Sequence, residues 1–245
     1  AGSSSTGGYY LEELNASTLA VVTNYSGLIS PLGASVYTLL PDGGRIYVGG
    51  ALAKVSGAQL VYTPFFGFIS PGGTTFTRLG TSSFGNSTTQ AGEIDTMVRA
   101  GGALYLGGYW YNYTGGSGAG ILFEFSLGTG VLTNLTGLLP SLSWGVIDLV
   151  HWGDQVALAG ESWKVFSLPT SHYTVAVGAG LFTYRSGSLT LANRTALWGP
   201  GYTPGSWAAH SLDPPQPLAV ESQGYLVSGG VDSTSGFAEI VAIHR

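Results

Sequence analysis

The chain contains no cysteine. Disulfides, thiolate nucleophiles and zinc–thiolate sites are therefore excluded; a domain of this size need not lean on disulfides for its stability. Charge is scarce as well. Eight Lys+Arg and 13 Asp+Glu among 245 residues leave a net charge of -5. No basic patch can form to hold nucleic acid, and no Lys/Arg cluster marks an anionic membrane surface. No apolar run reaches the ~18 residues of a membrane helix, so no membrane span is expected. No useful length carries helical periodicity; YYLEELNAS (9–17) comes nearest and is too short. One Met and five Gln mean few heat-labile side chains, a thermophile trend, but the ions for ion-pair networks are missing too. The four histidines, His151, His172, His210 and His244, have no metal-ligand spacing. There is no G-x-S-x-G, no Walker loop and no G-x-G-x-x-G, so the sequence offers no catalytic residue and implies no cofactor beyond covalent N-glycan.

Asparagine is rare, and its placement is informative. The six in the chain, Asn15, Asn24, Asn86, Asn112, Asn134 and Asn193, each open an Asn-x-Ser/Thr triplet. That triplet is the acceptor for N-glycosylation. Ser and Thr make up about a fifth of the chain, so six of six by chance has odds of roughly one in ten thousand on the triplet's definition. All six are expected to face solvent, and most of them to carry glycan. The opening AGSSSTGG lacks Met, as a mature form freed of its signal peptide would. Together these features point to an extracellular or cell-surface protein. Positive mean hydropathy with so little charge leaves an apolar surface to be kept soluble by glycan or buried against neighbouring copies.

β-Branched and aromatic runs alternate with Gly, Pro, Ser and Thr turns, an all-β pattern. The Gly content, 40 residues, has no collagen period. Self-similarity appears at long spacing. SVYTLLPDGGRIYVGG (35–50) and EIDTMVRAGGALYLGG (93–108) match without a gap at an offset of 58. VIDLVHWGDQVALAG (146–160) reads as a third copy, one residue shorter in its turn, and PQPLAVESQGYLVSGG (215–230) as a fourth. A further strand pair follows the first three: GFISPGGTTFTRLG (67–80), ILFEFSLGTGVLTNLT (121–136) and GLFTYRSGSLTLANRT (180–195). Each unit thus reads as four strands, a to d, over 35–80, 93–136, 146–195 and 215–245. The last unit ends after FAEIVAIHR with no d strand. YYLEELNAS resembles the d strands, with Asn15, Asn134 and Asn193 in equivalent places, so residues 1–17 are expected to close the last unit. The expected fold is one β-propeller domain over 1–245, of four blades, or five if TLAVVTNYSGLISPLG (18–33) is more than a connection.

At RIYVGGALAKVSGA (45–58) and ALYLGGYWYNYTGG (103–116) the chain resembles the kelch-type propeller repeats of secreted and cell-surface proteins. Gly49, Gly50, Gly107, Gly108, Gly229 and Gly230 match the family's Gly-Gly doublet, whereas the third copy has Ala159-Gly160. The resemblance implies a propeller with a binding or scaffold role and brings no catalytic residue.

Two further constellations are candidates for function. Asp95 and Asp148 read as equivalent ends of strand a, where repeated carboxylates would meet near a ring axis and hold a cation or act as an acid/base pair; two carboxylates are a thin cation cage. The long insert ALWGPGYTPGSWAAHSLDPPQP (196–217) is the least blade-like segment. Its Trp198, Tyr202 and Trp207 are candidate ligand or assembly contacts. The expected function is a non-catalytic, N-glycosylated structural protein that assembles with itself as a filament or surface layer, with strand donation by the N-terminal segment as one route. The alternative is a secreted carbohydrate-binding module or glycan-active enzyme of the same fold.

Overall fold

The computed structural model describes residues 2–3, 9–29, 34–56, 59–80, 90–112, 117–139, 144–152, 155–162, 180–185, 188–191, 219–220, 226–231 and 238–243. The chain is all-β, with several antiparallel sheets. It divides into two compact units, 1–95 and 96–245.

The first unit opens with two short pairs: β1 (Gly2–Ser3) with β2 (Tyr9–Tyr10), and β3 (Glu12–Leu14) with β4 (Val21–Asn24). One helical turn, α1 (Ser26–Ile29), then leads into β5 (Ala34–Asp42), β6 (Arg45–Ser56), β7 (Gln59–Ile69) and β8 (Phe76–Leu79). These four pair in chain order as an antiparallel meander. Both faces of its centre are apolar and closed to solvent. Val48 and Phe65 are buried on one face, Tyr47 and Phe66 on the other, and the Tyr47 ring stacks on Phe66 at 6.0 Å. An antiparallel sheet that met water on one side would alternate apolar with polar.

β9 (Gln90–Ala100) runs from the first unit into the second and heads another meander with β10 (Ala103–Asn112), β11 (Ser117–Ser126) and β12 (Leu132–Asn134). A 3-10 turn (Thr136–Leu138) follows. The next meander contains β13 (Trp144–Trp152), β14 (Gln155–Ser162), β15 (Gly180–Arg185) and β16 (Ser188–Leu191). The last described sheet has three strands, β17 (Ala219–Val220), β18 (Leu226–Val231) and β19 (Ala238–Ile243).

The register corrects one alignment. Between β5 and β6, Val36 faces Gly50 and Thr38 faces Gly49, so Tyr37 is an extra bulged residue. Between β13 and β14, Val146 faces Gly160 and Asp148 faces Ala159, so Ile147 is the bulge. The pairs Asp42↔Arg45 and Trp152↔Gln155 each leave two residues between them. The third copy therefore has a turn of the same length as the first and matches it at a constant offset of 110. Asp148 takes the place of Thr38, not of Tyr37.

The same pocket recurs in the two units. A Cβ on Gly49 would lie 2.8 Å from Thr38 Cγ2 and 2.9 Å from Ile94 Cγ2. A Cβ on Gly107 would lie 2.8 Å from Thr96 Cγ2 and 2.5 Å from Val146 Cγ1. In these two doublets the first glycine is thus the hole into which its own sheet's Thr and a β-branched residue of the following strand a are pressed. No side chain fits there.

Within residues 1–17, expected to close the last unit, the described strand Glu12–Leu14 is paired locally. Glu12–Leu14 pairs with Val21–Asn24 a few residues on, and the 219–243 sheet has three strands among the described residues. The local turn explains the choice. Asn15 N donates to Ala20 O at 2.8 Å, Leu19 N donates to Asn15 O at 2.8 Å, and Asn15 Oδ1 accepts from Ser17 N and Thr18 N. Closing so short a loop costs much less chain entropy than pairing with a distant strand.

The segment 18–33 is correspondingly more than a connection. Its strand Val21–Asn24 and turn Ser26–Ile29 repeat Leu132–Asn134 and Thr136–Leu138. In both places the residue after Asn donates its N–H to a Leu carbonyl, Tyr25 to Leu11, just before the paired strand, at 2.7 Å and Leu135 to Leu122, on the paired strand, at 2.8 Å. Buried Leu11, Ile29 and Val48 form one core with partly buried Val36 and Ile46. Buried Leu122, Leu139, Val146, Val156 and Leu158 form the other. Residues 11–29 are thus half a repeat unit, its c and d strands, packed on the first full meander.

Candidate functional site

Three of the six triplet asparagines have described side-chain surroundings, and all three are exposed: Asn15, Asn24 and Asn134. Each makes the same local bond. Asn15 Oδ1 accepts from Ser17 N at 2.9 Å, Asn24 Oδ1 from Ser26 N at 2.8 Å, and Asn134 Oδ1 from Thr136 N at 2.8 Å. These are Asx turns closed on the triplet's own hydroxyl residue. Asn24 Nδ2 also donates to Glu12 Oε1 at 3.0 Å.

The hydroxyls differ. Ser26 Oγ accepts from Leu11 N at 3.1 Å. Thr136 Oγ1 accepts from Leu122 N at 3.1 Å and donates to Leu122 O at 3.4 Å. Among the described residues Ser17 Oγ makes no such bond, and Ser17 is exposed. Two of the triplets are thus strand-end locks as well as glycan acceptors. Asn112 is the last residue of β10, paired with Ser117. Asn86 and Asn193 lie outside the described residues, as do Trp198, Tyr202, Trp207 and the whole insert 196–217.

No family model matches this chain, and no curated protein matches it.

The two carboxylates read as candidates each have partners within their own unit. Asp148 Oδ1 accepts from Thr96 Oγ1 at 3.1 Å and from its own Leu149 N at 2.8 Å. Leu149 N also donates to Thr96 Oγ1 at 3.1 Å. Thr96 and Asp148 hold the same position in consecutive meanders, so this is a bond between equivalent residues, with a structural role.

Asp95 has another partner, Glu93, which sequence reading passed over. Burial, then the Glu93 charge and a hydrogen bond to Glu93, push the Asp95 carboxyl up to about 8. Tyr37 belongs to the same group. Its hydroxyl bonds to Ser35 and Glu93, and burial with the Glu93 charge pushes it up to about 12. Asp95 and Glu93 are thus two hydrogen-bonded neighbouring carboxyls, the kind of pair between which a proton can be held. Glu93 was legible in the triplet EID, two residues from Asp95 on a strand, where side chains share a face. Among the described residues no group of three His, Asp or Glu could hold a metal ion. Among them no helix is long and apolar enough to cross a membrane.

Proposed function

We propose that this chain is an N-glycosylated extracellular or cell-surface structural protein that assembles with copies of itself, without catalysis of its own. The observation that carries this reading is the outward placement of Asn15, Asn24 and Asn134 in a chain that spends every asparagine on an acceptor triplet. A kelch-like propeller is the proposed architecture, with four units over 35–80, 93–136, 146–195 and 215–245 preceded by a half unit. The doubly buried first meander and the matching Gly49 and Gly107 pockets support radial stacking of similar sheets.

Self-assembly is supported by an apolar surface that a monomer would leave wet. Leu14, Leu19, Val21 and Val22 are 49%, 71%, 53% and 60% exposed on the β3–β4 hairpin. Clustered exposure of this kind marks an interaction surface. Native mass measurement on protein from its source tests both parts. Glycan masses on the triplet asparagines, and particles several times the monomer mass that dissociate on Leu19→Asp/Val22→Asp substitution, are expected. A bare monomer rejects the proposal.

The second reading, a glycan-binding or glycan-active protein, draws on Tyr37, Glu93 and Asp95. Glycoside hydrolysis uses one protonated and one ionised carboxyl. Oligosaccharide turnover or stoichiometric oligosaccharide binding that Asp95→Asn abolishes would favour it over the structural role.

A further inference from the structure

We propose that Asn24 and Asn134 can accept glycan only before their hairpins close, whereas Asn15 remains an acceptor in the folded chain. The inference rests on the glycosylation reading and adds an order of events to it. The acceptor triplet is defined by a hydroxyl two residues after Asn, so the transferring enzyme must reach that hydroxyl as well as the Asn amide. All three asparagines make the same Asx turn, so the turn does not distinguish them. The hydroxyls do.

At Asn134 the Thr136 hydroxyl is bonded on both sides to the Leu122 backbone, and Leu122 is buried. At Asn24 the Ser26 hydroxyl holds the N–H of buried Leu11. The middle residue, Tyr25, is only 1% exposed. Its hydroxyl donates to Glu13 Oε2 at 2.8 Å and accepts from Gly72 N at 3.0 Å. An enzyme reading either triplet would have to lift a strand end off its core. At Asn15, residues 15–20 form an exposed turn and the Ser17 hydroxyl can be read in place. The lock gives the two triplets with bonded hydroxyls a double use. An unfolded chain offers them to the transferase, and folding then withdraws them, leaving the sugar outside.

The test uses the full chain, folded without glycan in a bacterial host, and the peptides 9–20, 20–32 and 130–142. Each is exposed to a single-subunit oligosaccharyltransferase with its lipid-linked oligosaccharide, and occupancy is read by mass spectrometry. All three peptides are expected to be modified. In the folded chain, Asn15 is expected to be modified at least roughly tenfold faster than Asn24 or Asn134, the scale set by breaking a hydrogen bond to a buried group. Equal rates at the three sites of a chain shown to be folded by circular dichroism would overturn the inference. Peptides that all stay bare would reject the glycosylation reading itself, and the inference with it. A second variant leaves the triplets untouched. Gly130 sits in the β11–β12 turn at a φ of +70°, which Val does not adopt without strain. Gly130→Val is expected to loosen that hairpin and raise the rate at Asn134 alone. An unchanged Asn134 rate in a variant whose hairpin amides exchange faster would count against the lock.

Discussion

The two compact units build their cores from the same positions, but on different supports. In the second, Leu122 lies on β11 inside a four-stranded meander and anchors a core with Leu139, Val146, Val156 and Leu158. In the first, Leu11 and Ile29 play the parts of Leu122 and Leu139, but among the described residues β3 is paired with β4 alone. The half unit keeps what a neighbouring sheet needs, a buried face and a strand-end lock, and dispenses with strands a and b. A repeat whose contacts are mostly with its neighbours can be cut in this way, because the interface and the interior of a repeat contribute separately to stability.

The strongest way to break the comparison is to hollow out both cores at the matching Leu. Leu122→Ala is expected to cost about 2–5 kcal/mol, with Leu11→Ala at the low end of that range because a two-stranded hairpin collapses more readily around the cavity. Urea melts of each variant, with amide exchange reading the units separately, check this. A larger loss at Leu11 would mean that the hairpin is not the weaker support. Next come the pockets. Gly49→Ala and Gly107→Ala are each expected to cost about 1–3 kcal/mol, since a methyl must be forced against Thr38 and Ile94 in one case and Thr96 and Val146 in the other. Unequal losses would show that the two pockets are alike in position only.

How much of this was legible beforehand follows from the same residues. The strand–turn–strand–Gly-Gly unit was, because apolar runs and a glycine doublet survive at fixed spacing in 35–50 and 93–108. The third copy was read one residue out. A bulge such as Ile147 adds a residue without changing composition, and the shared Ile-Asp of EID and VID drew the alignment to the wrong register. The half unit was legible only as the alternative of a fifth blade at 18–33, because its strands are short and carry Glu12 and Glu13, so neither alternates cleanly. Its signal was nevertheless present: NYSGLI (24–29) matches NLTGLL (134–139) at the offset of 110, and NRTALW (193–198) has the same form. Asn24, not Asn15, is the counterpart of Asn134. The Glu93–Asp95 neighbourhood could be read from their i, i+2 spacing on a strand, but the burial that shifts the Asp95 carboxyl could not.

The hydroxyl locks offer a gentler comparison. Thr136→Val keeps the shape of the side chain and removes both bonds to Leu122, and Ser26→Ala removes the bond to Leu11. Each is expected to cost about 1 kcal/mol, because the stranded N–H is only partly buried. Exchange of the Leu122 and Leu11 amides should accelerate in the matching variant and in no other. If both amides stay protected, the hydroxyls are not holding the strand ends.

The smallest expected effect sets Asp95 against the bulge residues Tyr37 and Ile147; of the three, only Asp95 titrates near neutrality. Unfolded, its carboxyl has the ordinary value of 3.8; folded, it is pushed up to about 8. Between those values the folded chain holds a proton that the unfolded chain has released, so stability declines as pH rises. The favourable contribution is whole below about 3.8 and lost by about 8. Asp95→Asn removes it and should flatten the decline between pH 4 and 8 in urea midpoints. The change is expected to be modest, because Glu93 remains in the group and Tyr37, 47% exposed, leaves one side open to screening water. Ile147→Asn, made at the matching bulge of the second unit, should leave the slope as it was. If the Asp95→Asn and parent profiles run parallel through this window, the proton is not held between Asp95 and Glu93, and the only acid–base pair among the described residues that could serve a glycan-active role loses its basis.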